Sequence, residues 1–249
     1  MSSALPVPAD ATPDATPDAT PDATPKAASE AASEAAVDDA LPLQLLRDEV
    51  AIDAAVAEPR GAVRMIVPLA ALVAAGFVAH GICLVAVYAP IEGAEAAWRH
   101  GAAWAGACTL GFFAAIGASV PSTWFYGVVA RIRAPAWRLA VELVRIQAVG
   151  AVVLAGILPF WLAAVLGLDA VLDVALMEDP VWVVVTHTLP FLAALPGLAG
   201  LRRAFVRMKL ALGETGPGWS PLVLTAWWSL LFVTLAPATI AALYDVFLP

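Results

Sequence analysis

From residue 65 onward the chain alternates long apolar runs with short polar interruptions. The runs cover residues 65–88, 101–121, 139–168, 181–201 and 221–248, the second extending past Pro121 toward Ala130. At roughly 1.5 Å of rise per residue, each is long enough to cross a hydrocarbon core of about 30 Å. Backbone groups in lipid must be satisfied within their own segment. The runs are too long and too continuous for barrel strands, so the pattern predicts helices. The predicted fold is an all-α membrane protein, a five-helix transmembrane bundle over residues 60–249 behind a disordered N-terminal tail. Every predicted helix contains proline: Pro68, Pro121, Pro159, Pro190 with Pro196, and Pro237. Proline removes a backbone bond, so kinked helices are expected.

The first 59 residues follow other rules. Residues 11–26 repeat ATPD and end in ATPK, and AASE-AASE follows. Proline at every fourth position forbids helix, and the repeats offer no large apolar side chain to bury. Residues 1–41 are therefore expected to be a disordered acidic tail, a spacer or a docking segment for a protein partner. Residues 42–59 predict a short cytoplasmic helix, with Pro42 suited to a first helical position and Pro59 as a stop. Leu43, Leu46 and Val50 share one face; Leu45, Ile52 and Val56 share the opposite one. Two narrow stripes suit a helix packed between surfaces better than one lying on a membrane.

Charge changes the picture by setting the threading. The net charge of −8 is uneven: residues 1–59 hold 12 acidic and two basic residues, and the remainder holds nine and 11. Arg60 and Arg64 precede the first run. Arg131, Arg133 and Arg138 separate the second from the third, and Arg202, Arg203, Arg207 and Lys209 the fourth from the fifth. The other two connections hold Arg99 beside Glu92 and Glu95, and Asp169, Asp173, Glu178 and Asp179. With the N-terminus in the cytoplasm, 12 of 13 basic residues lie on that side. This is a positive-inside signal, and it places the C-terminus outside a bacterial inner membrane. No basic start followed by an apolar core opens the chain, so no secretory signal is expected. The composition, 61% hydrophobic and 14% charged with mean hydropathy +0.84, agrees. Nothing resembles a basic nucleic-acid footprint. Tyr88, Trp98, Trp161, Trp182 and Tyr244 fall near the outer boundary, and Trp124, Tyr126, Trp137 and Trp219 near the inner one, as interfacial aromatics do.

Candidate chemistry is sparse. With this threading, His187 in VVVTHTLPFLAALPGL lies roughly 10 Å below the outer boundary, His80 in FVAHGICL about 12 Å below it, and His100 near it. Two histidines at matching depth on different helices would suit a haem b held between His80 and His187. They equally suit a proton-handling or polar substrate contact, or structural histidines bonded to a neighbouring carbonyl. Thr186 and Thr188 can bond their own helix at i−4. Glu142 stands between Arg138 and Arg145 at spacings that put all three on one helix face. Arg202, Arg203, Arg207 and Lys209 suit contact with anionic lipid headgroups. Ala102, Gly106, Ala107, Gly111, Ala114 and Gly117 form a small-residue face that permits tight packing or a homo-oligomer. Cys83 and Cys108 read as small apolar side chains. The sequence lacks a nucleophile elbow, a P-loop, HExxH, G-x-G-x-x-G and zinc spacing, so no catalytic residue, metal site or resident cofactor is assigned.

The stretch TWFYGVVARIRAPAWRLAVELVRIQAVGAVVLAGILPFW, residues 123–161, runs from one span through a basic turn into a span with proline in its outer half. Together with the polar N-terminal region and five spans, this layout resembles the Yip family of multi-pass membrane proteins, over residues 60–248. The acidic aromatic stretch often found before the first span of that family is not evident. The resemblance implies a membrane-organising or trafficking-type role without catalysis, and carries over no site residues. The expected function is thus a non-catalytic polytopic membrane protein that organises partners or lipid. The alternatives are a small transporter, channel or transport-complex subunit, and a membrane redox subunit.

Overall fold

The structure is a computed structural model. It describes residues 41–42, 45, 52, 56, 58–132, 134–172, 176–211 and 220–248. The repeat tail, the Leu43/Leu46/Val50 stripe, Arg133, Asp173 and residues 212–219, Trp219 among them, lie outside the described residues. The chain divides into two units, Met1–Leu41 and Pro42–Pro249, and the bundle belongs to the second.

Six α-helices and one 3₁₀ turn make up the described elements. They are α1 (Pro59–Glu92), α2 (Ala94–Val129), α3 (Ala136–Leu172), the turn Leu176–Glu178, α4 (Pro180–Ala193), α5 (Leu195–Ala211) and α6 (Pro221–Phe247). α4 and α5 are two halves of one span, bent at Ala194. Five helices are long and apolar enough to cross a membrane. The polar stretch around Glu92, Glu95 and Arg99, expected as a connection, is helical instead. A helix that runs past the hydrocarbon can carry charge on its wet end. Gly93 alone parts α1 from α2, at φ 84°, a left-handed conformation that glycine adopts without a Cβ penalty.

Local chemistry sets the helix ends. Ser220 caps α6 by accepting from the Val223 N–H at 3.3 Å, and Asp179 caps α4 through the Val181 N–H at 2.8 Å. A proline follows each cap at the first helical position, where the missing N–H costs nothing. α2 ends with Ile132 N–H on the Gly127 carbonyl and Arg131 N–H on that of Val128. Arg131 takes the left-handed position of this closing motif. Pro68, Pro90, Pro121, Pro159, Pro190 and Pro237 lie inside helices.

Small residues fix how close the helices come. A Cβ added at Gly76 would lie 2.7 Å from the Ala151 side chain, and one at Gly111 2.5 Å from that of Ile240. These sites seat α1 on α3 and α2 on α6. Gly106 faces Phe247 of α6 at ordinary contact distance. Part of the small-residue face of α2 is thus covered within the chain. Phe112 is the hub of the apolar core, with ring centroids 4.7 Å from Phe77, 5.3 Å from Phe191 and 5.2 Å from Phe232. Trp228 stacks on Phe232 and donates its indole N–H to Ser119 Oγ at 3.2 Å. Leu45, Ile52 and Val56 are buried, so this stripe of the segment before α1 packs inward.

Candidate functional site

The three histidines of the chain meet at one end of the bundle. α1 and α2 touch at Gly81 and Gly101, each of which leaves room for the other's backbone. His80 and His100 sit beside those glycines in sequence and are carried to the crossing. His80 is fully buried. The Trp104 indole N–H donates to its Nδ1 at 3.3 Å, so Nε2 of a neutral His80 carries the proton. That Nε2 is buried and has no hydrogen-bond partner among the described residues.

His187 turns to its own helix, its Nδ1–H donating to the Val183 carbonyl at 2.7 Å. His100 Nδ1 lies 3.0 Å from the Tyr244 hydroxyl. The His187 ring centroid is 5.9 Å from that of His100 and 4.5 Å from that of Trp104. Tyr88 packs on His100 at 4.6 Å, and Trp161 on His80 at 6.5 Å. Each of the five spans therefore contributes a ring. Tyr88 and Trp161 are buried and Tyr244 is half-buried, so these three expected interfacial aromatics face inward. Trp98 and Trp124 remain exposed. Of the two threonines flanking His187, Thr188 bonds the Val184 carbonyl at i−4. Thr186 instead points its hydroxyl at Met177 Sδ, 3.7 Å away.

A haem held between His80 and His187 does not fit this arrangement. The Trp104 indole packs on both imidazoles and occupies the space a porphyrin plane needs. His80 Nδ1 accepts from Trp104, so its Nε2 holds the proton and has no lone pair for iron. Among the described residues, no three His, Cys, Asp or Glu side chains converge on a common point for a metal ion. Cys83 and Cys108 are free thiols.

The opposite end of the bundle is basic. Glu142 and Arg145, both buried in α3, pair at 3.5 Å. Arg138, expected on the same face, keeps a buried Nε without a hydrogen-bond partner. Glu142 and Arg145 line a cavity of about 140 Å³ between α3 and α5. Leu45 closes one side of it. α5 buries Leu201, Ala204, Phe205 and Met208 at helical spacing, and this turns Arg202 and Arg203 outward. Arg202, Arg203 and Arg207 border an open cleft of about 440 Å³. Lys209, two residues beyond Arg207, is half-buried.

No family model, curated protein or solved structure matches the chain. The class that the fold defines is a helical bundle built from five helices able to span a membrane. Its polar groups gather in a histidine–aromatic end and an arginine end. Sequence reasoning missed Trp104. The available signal was its position four residues after His100, which puts both on one face of α2. The cavity beside Glu142 had no sequence signal, since it depends on how α3 and α5 diverge.

Proposed function

We propose that this is a non-catalytic multi-pass membrane protein that gathers anionic lipid at its basic end, with that end and the N-terminus in the cytoplasm. The observation that carries the reading is the basic face of α5, where Arg202, Arg203 and the half-buried Arg207 border one cleft. A juxtamembrane cation near an anionic leaflet contributes about 1 kcal/mol. A membrane-organising or trafficking-type role without catalysis is what the layout resemblance to the Yip family implies. The test is lipid enrichment around the protein reconstituted in bilayers of equal phosphatidylglycerol and phosphatidylcholine. Wild type should enrich phosphatidylglycerol, and Arg202→Glu/Arg207→Glu should abolish the enrichment. Equal lipid composition around both proteins rejects the reading.

A transport role is the second reading, supported by the cavity that reaches Glu142. It requires a path from that cavity to the other side. With Cys83 and Cys108 replaced, Glu142→Cys would then react with impermeant thiol reagents from both faces of the membrane. Labelling from the basic end alone would reject it.

A further inference from the structure

The bend of span four rests on α3. A Cβ added at Gly150 would lie 3.0 Å from the Ala194 Cα, so this glycine seats the bend. Gln147, one turn earlier on α3, is carried to the same place. Beside it lies a crevice of about 40 Å³ walled by α3, α4, α5 and α6. Gln147, Ala194, Trp228 and Phe232 are buried at its floor, while Leu195 and Val233, 56% and 61% exposed, form its lip. Gln147 is 2% exposed, and its amide Nε2 has no hydrogen-bond partner among the described residues. The other polar side chains of the wall direct their donors elsewhere. The Trp228 indole N–H goes to Ser119 Oγ, and the Ser229 hydroxyl goes to the Thr225 carbonyl at 2.8 Å. The floor thus offers one unpaired side-chain donor, and no ionisable side chain among the described residues lines the crevice.

We propose that this crevice binds one uncharged, lipid-soluble molecule of quinone type, whose ring carbonyl accepts a hydrogen bond from the Gln147 amide. Depth supports a ligand that enters from the bilayer. Gln147 lies roughly 15 Å along α3 from Trp137, half the thickness of a hydrocarbon core of about 30 Å. A polar group without a partner at that depth is costly, and an acceptor oxygen removes the cost. Phospholipid ester oxygens stay at the interface, and acyl chains carry no acceptor, so the bulk lipid does not supply one. The lack of an ionisable wall selects a neutral molecule. Size sets the manner of entry. The crevice of about 40 Å³ is well below the roughly 150 Å³ that accepts a whole benzene ring. It admits a carbonyl and the ring edge that bears it. The rest of the ring lies at the lip against Leu195 and Val233, with its tail among the acyl chains. Phe191, Trp228 and Phe232 present three aromatic side chains there, and aromatic pairs favour offset or edge-on packing. That wall suits a flat carbonyl-bearing ring better than a straight-chain ketone.

The experiment measures binding of tritiated decylubiquinone to the full chain in phosphatidylcholine nanodiscs. Decylbenzene, which has a ring and the same chain but no carbonyl, is the competitor. Wild type should bind one decylubiquinone per chain, and excess decylbenzene should leave it bound. Gln147→Leu leaves the carbonyl without its donor and should weaken binding by about tenfold or more. Val233→Trp fills the lip from a lipid-exposed position, keeps the amide in place and should weaken binding as much. Val233→Ala should bind as wild type does, and circular dichroism of all three variants should match that of wild type. If decylbenzene displaces the label as well as unlabelled decylubiquinone does, the carbonyl plays no part and the assignment falls. If Gln147→Leu binds as tightly as wild type, the amide is not the contact. If Val233→Cys chains with Cys83 and Cys108 replaced cross-link to one another in bilayers and bind no quinone, a second copy covers the crevice and the ligand assignment is overturned. A lack of saturable binding to wild type overturns it outright. The basic end plays no part in this site, so lipid enrichment there stands or falls separately.

Discussion

Gly81 and Gly101 face each other across the α1–α2 crossing so closely that a Cβ on either would lie 2.5 Å from the other's carbonyl oxygen. The obstacle is backbone and cannot rotate away. Overpacking of this kind costs about 1–3 kcal/mol. Gly81→Ala and Gly101→Ala should each lose that much stability in detergent unfolding. Gly117 has open space around an added Cβ, so Gly117→Ala should be neutral or mildly stabilising, as helix propensity dictates. Equal stability for all three variants would show that α1 and α2 separate freely.

The hydrogen bond from Trp104 to His80 crosses between helices and is buried. Interhelical hydrogen bonds in membrane proteins average about 0.6 kcal/mol and reach about 1.7. Trp104→Phe keeps an aromatic ring and removes the N–H, so a loss in that range is expected in equilibrium unfolding. No measurable loss would mean that another donor reaches Nδ1.

Glu142 and Arg145 form a buried pair. Glu142→Ala removes one side of the pair, and breaking one side of a buried pair costs about 3–5 kcal/mol. Replacing both partners with Gln should cost less than Glu142→Ala alone. Unfolding curves for the two variants decide it, and the reverse order would overturn the pairing argument.

Threading gives a further expectation. Five spans with the arginine-rich segments inside put the two chain ends on opposite faces. Reporter fusions at residues 1 and 249 should be active on opposite sides of the membrane. Activity on the same side would remove one span from the count.

Run length and continuity made the five spans legible, because the physical demand on a spanning helix is written residue by residue. Ser220 and Pro221 announced the start of α6 for the same local reason. The Glu92–Arg99 stretch misled, since polarity marks exposure to water and not the end of a helix. The matching depth of His80 and His187 was readable from counting. That Trp104 would stand against both was not, because azimuth around each helix is fixed by glycine contacts such as Gly81 with Gly101. The Glu142–Arg145 pair was visible at i,i+3, whereas the cavity beside it arises from a divergence between helices more than 50 residues apart.

The seam between α2 and α6 has a consequence for how the molecule is made. Thr239 reaches the Gly111 carbonyl across 128 positions, and Trp228 reaches Ser119 across 109. During synthesis α2 enters the bilayer long before its partner emerges from the ribosome. Until then Gly111, Ser119 and the side of Phe112 that meets Phe232 lack their partners from α6. A nascent chain stalled before residue 221 would display this unsealed strip, a feature by which quality-control proteases could tell unfinished copies from finished ones.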